Sequence, residues 1–559
     1  MTQHPYDPSE SRSSAPAGSG HGEQATSDDQ SPFDRDPNPP SRRMLKQVEG
    51  RVLDPATAIT VEGVFPRPTV YVGPRLVVSA LRDPDEVLKD LQAVAKQLDW
   101  DVALDPGFHP ARVDVGEQRR ARRVERRPWA QGQLGVSRFL ITVKSAKATV
   151  APDGWVLLQQ ARAQLRDRPD ALLGVGLDHV LFVSPFESSN PFESSNPFES
   201  SNPLSALASY PVSTYGLPGS GGRQPVAYVG PRPRRTPDDE MTRRRPRVGI
   251  LDTGCGPHPW LDDVVDTDVR RGTHHIGYAD PATSPETHPD QVGALDGGID
   301  ELSGHGTFIA GLVHQACPDA DIAAWRVVRS SGPIVESDWV NALTKVAELV
   351  RRYYDGEPGG VPVDVLNMSM GYYHETPYDQ LFDPTIYHLL ELLGECGTVV
   401  TCSAGNDATA RPFFPAAFAP WSNGKGHVRP SRDCAPVVSV GALNPNTRTV
   451  ALFSNTGPWV RSYVSGAAVM STMPPMQGGL QPMARTKAFG HVRESIDPDD
   501  FTGQFAVWSG TSFAAPLQAG RIAELMLGAM PAADEAPSAT EAVARAWTAV
   551  AEATAITPD

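Results

Sequence analysis

The 559-residue chain has little cysteine: Cys255, Cys317, Cys396, Cys402 and Cys434 are the only five, and all fall in its second half. The count is odd and no C-x-x-C pair occurs, which argues against a disulfide framework and fits free thiols in a reducing cytoplasm. No run of about 18 apolar residues is present, so no membrane-spanning helix is expected. The start, MTQHPYDPSESRSSAPAGSG, has no basic stretch followed by an apolar one, so no secretory signal peptide is expected. Positive charge is in deficit. The formal net charge is −16, which argues against nonspecific binding to nucleic acid and favours solubility. Neither nucleic acid nor membrane is expected as a partner.

Proline (54) and glycine (49) are plentiful, so much of the chain should be loop or linker, and its length suggests two domains. Residues 1–60 are rich in Ser, Pro, Gly, Asp and Gln and read as a disordered tail. Residues 61–184 read as an α+β domain. RLVVSAL (75–81), DVAL (101–104), SRFLITVKSA (137–146) and LDHVLFVS (177–184) have strand character. DPDEVLKDLQAVAKQLDW (83–100) and DGWVLLQQARAQLRD (153–167) have helical spacing. The order βαββαβ is the ferredoxin-like one. Between two of its strands lies a basic run, EQRRARRVERR (117–127), read as a solvated loop.

Residues 185–246 read as a flexible linker. PFESSN occurs three times, at 185–190, 191–196 and 197–202. A period of six with proline at each start suits neither helix nor buried strand, although each copy also offers one Phe as a docking or cleavage peptide. A basic stretch, RPRRTPDDEMTRRRPR (232–247), closes the linker. From 247 to 530 short apolar runs alternate with helical segments: RVGILDTG, DIAAWRVV, VDVLNMSMG, GTVVTCSAGN and APVVSVGAL as strands, 339–354 and 384–396 as helices. That alternation predicts an α/β domain with a parallel sheet covered on both faces. The tail 531–559 is Ala- and Glu-rich and suits one terminal helix.

Three segments each put a reactive side chain at the edge of an element. In VGILDTG, Asp252 follows an apolar strand, where open α/β sheets build their sites, and Gly254 lets the chain turn. In SGHGTFIAGLV, His305 lies between two glycines before an apolar helix. In SGTSFAAP, Ser512 opens a helix, with Pro516 expected in its first turn or so. A serine there sits among free backbone N–H groups in a positive field, which suits an oxyanion.

DTG, GHGT and GTSFAAP, in the chain order Asp, His, Ser, resemble the three signatures of the subtilisin-like serine peptidases over about residues 247–530. The resemblance implies a subtilisin-like parallel sheet sandwiched by helices and a serine endopeptidase acting on protein or peptide substrates. Ser512 is then the nucleophile, His305 the proton carrier and Asp252 the group that orients the imidazole. TCSAGND resembles the family's oxyanion segment, which points to Asn406. VLNMSMG resembles the strand that pairs with substrate, so Ser369, Met370 and Gly371 line the cleft, with Ala404 and Gly405 as another wall. Two departures stand out. An insertion at about 474–506 is expected near the cleft, as a lid or a surface excursion, and a smaller one lies at about 419–433.

The family often carries a βαββαβ propeptide that aids folding and inhibits the enzyme until cut. Residues 61–184 match that by element order and position. Two readings stand: a removable inhibitory propeptide, making the chain a zymogen, or a permanent adaptor for a substrate or partner. No cofactor is expected. Structural calcium is common in the family, but no compact acidic loop defines a site here, DVVDTDV (263–269) being the nearest approach. The function expected is intracellular processing or regulatory proteolysis. The alternative is a scaffold protein using a peptidase fold for recognition.

Overall fold

The computed structural model describes residues 35–37, 39–116, 132–183, 215, 221–292, 297–330, 332–376, 385–421, 430–532 and 535–558. The three PFESSN copies and the basic run 117–127 lie outside them.

The N-terminal part runs β1 (Thr69–Ser79), α1 (Pro84–Ala95), β2 (Trp100–Leu104), β3 (Val136–Val143), α2 (Gly154–Gln164) and β4 (Val175–Val183). Its strands pair antiparallel in the spatial order β4-β1-β3-β2. Both helices start where the sequence supplies a cap: Asp83 accepts from the Asp85 N–H, and Asp153 from the Val156 N–H. Alternation along β1 divides its side chains between two cores. Leu76 and Val78 pack with Val87, Leu91, Trp155 and Leu158 under the helices. Val77, between them, faces the other way and joins the core of the second domain.

The tail expected to be disordered is folded from residue 42. Arg42–Gln47 is a helix, and Gly50–Leu53 pairs antiparallel with the start of β1. The cause is two apolar contacts: Leu53 is buried in the core of the N-terminal part, and Val48 packs against Val72, Val180 and Val335.

The second domain comprises β5 (Arg247–Asp252), α3 (His305–Ala316), β6 (Asp321–Arg326), α4 (Glu336–Tyr354), β7 (Val365–Met368), β8 (Met370–Gly371), α5 (Thr385–Glu395), β9 (Val399–Ser403), β10 (Val437–Leu443), β11 (Ser462–Ser465), β12 (Phe505–Trp508), α6 (Thr511–Met526) and α7 (Ala539–Ala553). Its main sheet has the order β6-β5-β7-β9-β10-β11, every pair parallel, with Val265–Asp266 added beside β6. Helices cover both faces, and the strands show it residue by residue. Val248 and Ile250 pack with Phe308 of α3 and Phe513 and Ile522 of α6. Leu251, Leu366 and Met368 pack with Trp339 and Leu343 of α4 and Leu389 of α5. That two-sided burial explains why the strands read as continuous apolar runs.

The linker's basic end is held by carboxylates, the buried Asp364 and the half-buried Asp319 among them. Arg244 forks onto Asp364 with two bonds of 2.8 Å, and Arg245 reaches Asp319 and Asp238. Gln224–Pro225 adds a strand beside β12. The insertion at 474–506 carries an exposed hairpin, Arg485–Ala488 with His491–Glu494, on a base anchored by buried Met476 and Phe501. The terminal helix is α7, packed through Val543, Trp547 and Val550. No helix among the described residues is long and apolar enough to cross a membrane.

Candidate active site

Parallel topology brings the carboxyl ends of β5, β7 and β9 together, and the helices α3 and α6 start above them. Asp252 is the last residue of β5. His305 is the first residue of α3, after Gly304 at φ 84°. Ser512 is the second residue of α6. All three side chains are fully buried.

Asp252 and His305 are directly joined: Nδ1 of the imidazole lies 2.7 Å from Oδ1 of the carboxylate. A carboxylate accepts, so Nδ1 carries the proton and Nε2 is left with the lone pair. Nε2 has no hydrogen-bond partner among the described residues. Asp252 Oδ1 also accepts from the backbone N–H of Thr253 at 2.8 Å. The ring is walled by aromatics, with Trp508 edge-on at 5.7 Å and Phe513 at 5.2 Å between centroids.

The Ser512 hydroxyl donates to the carbonyl of Ser369 at 3.2 Å, and the Ser369 hydroxyl donates back to the Ser512 carbonyl at 2.9 Å. Pro516 explains the second bond. It is the sixth residue of α6, past the first turn where it was expected. Having no N–H, it leaves the carbonyl four residues earlier, that of Ser512, without its helical partner. Ser369 supplies the missing donor, so the proline ties α6 to the segment after β7.

Asn406 stands against the same helix start. Its Oδ1 accepts from the Thr511 backbone N–H at 3.0 Å and from the Thr511 hydroxyl at 2.8 Å. With the oxygen engaged, the amide's Nδ2 end is the one turned to other partners. Ala404 and Gly405, both buried, lead into Asn406. Gly405 has φ 94°, and a Cβ there would strike the Asn455 side chain. Asn455 holds this loop by donating to the Ala404 carbonyl at 2.8 Å and accepting from the N–H groups of Asp407 and Thr409.

Met370 and Gly371 form β8, an edge already occupied: they pair antiparallel with Val183 and Phe182 at the end of β4. The structure thus gathers Asp252, His305, Ser512, Asn406, Ser369, Met370, Gly371, Ala404 and Gly405 into one region. Of Asp252, His305 and Ser512, the first two are joined by a direct bond, while the Ser512 hydroxyl is bonded to Ser369 instead.

The sequence of residues 243–553, more than half of the chain, matches the profile of the Subtilase family. This chain is a subtilase. It is similar to a thermophilic serine proteinase of Bacillus sp. (strain AK1), at 26% identity over 259 residues, covering 43% of this chain and 49% of that one. It is also similar to an intracellular serine protease of Paenibacillus polymyxa, at 24% over 292 residues, covering 50% of this chain and 65% of that one. The chain therefore spans about half of one relative's length and just under two thirds of the other's. Among solved structures, fervidolysin from Fervidobacterium pennivorans gives a TM-score of 0.39 at 18% identity, covering 86% of this chain and 57% of that one.

Reading the subtilase by sequence missed Glu286. Its carboxylate is 2% exposed and receives the Thr253 and Thr307 hydroxyls and, at 3.1 Å, the Gly306 N–H. It thereby fastens the turn after Asp252 to the helix start that carries His305. Burial pushes its carboxyl up to about 7, against the pull of those donors. No local pattern marks Glu286. Thr511, in contrast, stands inside the GTSFAAP signature.

Proposed function

We propose that this subtilase is a serine endopeptidase that cleaves protein or peptide chains through an acyl-enzyme. The observation that carries the reading is the buried 2.7 Å bond from Asp252 to His305 Nδ1, which leaves the Nε2 lone pair without a partner among the described residues, on a ring packed against Phe513, the neighbour of Ser512 at a helix start. Rotation of the Ser512 hydroxyl from the Ser369 carbonyl toward Nε2 gives it a proton acceptor. Ser512 Oγ then attacks the scissile carbonyl, its proton passing to Nε2, and Asp252 stabilises the imidazolium. The oxyanion is received by Asn406 Nδ2 and the Ser512 backbone N–H. Collapse expels the amine with the proton from Nε2, and water repeats the sequence to free the enzyme.

Substrate would lie as an added strand along Met370–Gly371, using its backbone for affinity. In the intact chain that edge is taken by Phe182–Val183. Together with the βαββαβ order of the preceding domain, this supports a ferredoxin-like inhibitory domain and a zymogen. Asp252, His305 and Ser512, all fully buried, fit a closed form. Five cysteines with no disulfide among them, and the similarity to an intracellular protease, support a cytoplasmic setting.

The test is the mass of the purified chain over time. Wild type should be cut within 185–246 and then hydrolyse an unfolded protein substrate, whereas Ser512→Ala should stay intact and inactive. Equal cleavage by both proteins would overturn the proposal.

A further inference from the structure

A second cluster of reactive side chains lies where the two domains meet. His179 comes from β4; His374 and Glu375 come from the segment that follows β8. All three are almost completely buried, at 1%, 2% and 2% exposure. His179 Nε2 lies 2.8 Å from Glu375 Oε2, and His374 Nδ1 lies 3.6 Å from the same oxygen. One donor atom from each residue falls within 4.8 Å of the other two.

The geometry points to a divalent-metal site formed by His179, His374 and Glu375, of zinc type, that pins the N-terminal domain to the catalytic domain beside the substrate edge. Ligands at about 2.1 Å in a tetrahedron lie about 3.4 Å from one another, so small side-chain shifts bring the three donors onto one ion. Two imidazoles and one carboxylate suit zinc better than calcium or magnesium, which prefer oxygen.

The surroundings are those of a metal histidine. His179 Nδ1 lies 2.6 Å from Glu336 Oε2, the carboxylate that fixes a ligating ring and leaves Nε2 as donor. His374 Nδ1 is unprotonated, accepting the Thr376 N–H at 3.0 Å, and binding an ion at this atom would replace that hydrogen bond. The Thr376 hydroxyl, 3% exposed, has no partner among the described residues, an unsatisfied oxygen one residue from Glu375. Charge argues the same way. Glu336 and Glu375 bring two buried carboxylates to a single histidine, and a divalent ion balances both. Arg411, nearby, is engaged by Asp36 and the His374 carbonyl. Tyr372 stacks on His179 at 4.5 Å and closes one side.

The position gives the ion a structural consequence. Three residues after His179, Phe182 begins the pairing with Gly371 and Met370, and His374 follows Gly371 by three. One ion would lock both strands of that pair at the same end. Its binding can be read without any peptidase activity, so it stands apart from the catalytic proposal.

The test uses the full chain carrying Ser512→Ala, which keeps both domains connected. After chelation and dialysis against zinc, elemental analysis should find one zinc per chain. Cobalt in its place should give visible absorption of a four-coordinate N/O site. Adding His374→Gln, which leaves the His179–Glu336 bond intact, should lower zinc affinity at least tenfold. Chelating the parent chain should speed amide exchange across residues 175–183. Absence of stoichiometric zinc in the parent chain, or undiminished zinc affinity in a folded His374→Gln chain, would overturn the site.

Discussion

Asp178, next to His179 on β4, caps a helix that belongs to the other domain. Its Oδ1 accepts the Ser337 N–H and its Oδ2 the Ser337 hydroxyl, both at 2.9 Å. Helix α4 has no side-chain cap of its own, its N-cap being Val335. Asp178→Ala removes both bonds at once and leaves the Ser337 N–H buried without an acceptor. A hydrogen bond to a charged group contributes about 1.5–3 kcal/mol, and an orphaned buried donor costs about 1–3. These overlap, so about 3 kcal/mol is a reasonable sum, or roughly a hundredfold change in the docking equilibrium. Burial pushes the Asp178 carboxyl up to about 7, so the comparison belongs at pH 8, where it is ionised. Hydrogen exchange on the full chain carrying Ser512→Ala is the assay. Amides of β4 and the first turn of α4 should exchange roughly a hundredfold faster in the Asp178→Ala chain, with β9 and β10 unchanged. Asp178→Asn, which keeps an acceptor for the Ser337 N–H, should show a smaller change. Unaltered exchange in β4, or equal acceleration through the central sheet, would refute the reasoning.

Asn406→Ala should lower kcat about 10²–10³-fold with a smaller effect on KM, as is usual for loss of one oxyanion donor. Thr511→Val, which removes one of the two bonds orienting Asn406, should cost about tenfold in kcat, checked with a fluorogenic peptide. Glu286→Ala should lower kcat by tenfold or more, because the Asp252 turn and the His305 helix lose their shared anchor. Glu286→Gln should be milder. The native Glu286 carboxyl is raised from its usual value to about 7, so its contribution is full below about 4.5 and is lost as pH rises toward 7. The melting temperature of Glu286→Gln relative to wild type should therefore increase from pH 5 to pH 8. A constant difference would contradict that assignment.

The catalytic half was legible because its chemistry is local. Asp252, His305 and Ser512 each sit in a short frame whose glycines and apolar neighbours dictate a strand end or a helix start. Two-sided burial likewise writes itself as continuous apolar runs, as in Val399–Ser403. Other features depend on contacts far apart in the chain. Glu286 reaches Thr253 and Thr307 across a long loop, and Asp178 finds Ser337 in another domain. Arginines 244 and 245 read only as the basic end of a flexible linker until Asp364 and Asp319 are placed beside them. Pro516 lies just past the first turn where it was expected, and it is tolerated there because the acceptor it releases is satisfied by Ser369, distant in sequence. The tail at 42–53 was masked by its polar composition, a few apolar residues sufficing to hold it against β1.

The most direct measurement is active-site labelling with a fluorophosphonate, followed by peptide mapping of the activated enzyme. The account predicts a single adduct on the Ser512 hydroxyl, abolished by Ser512→Ala and strongly slowed by His305→Ala. Peptide hydrolysis that persists with Ser512 unlabelled, or an adduct on another serine that tracks loss of activity, would contradict it.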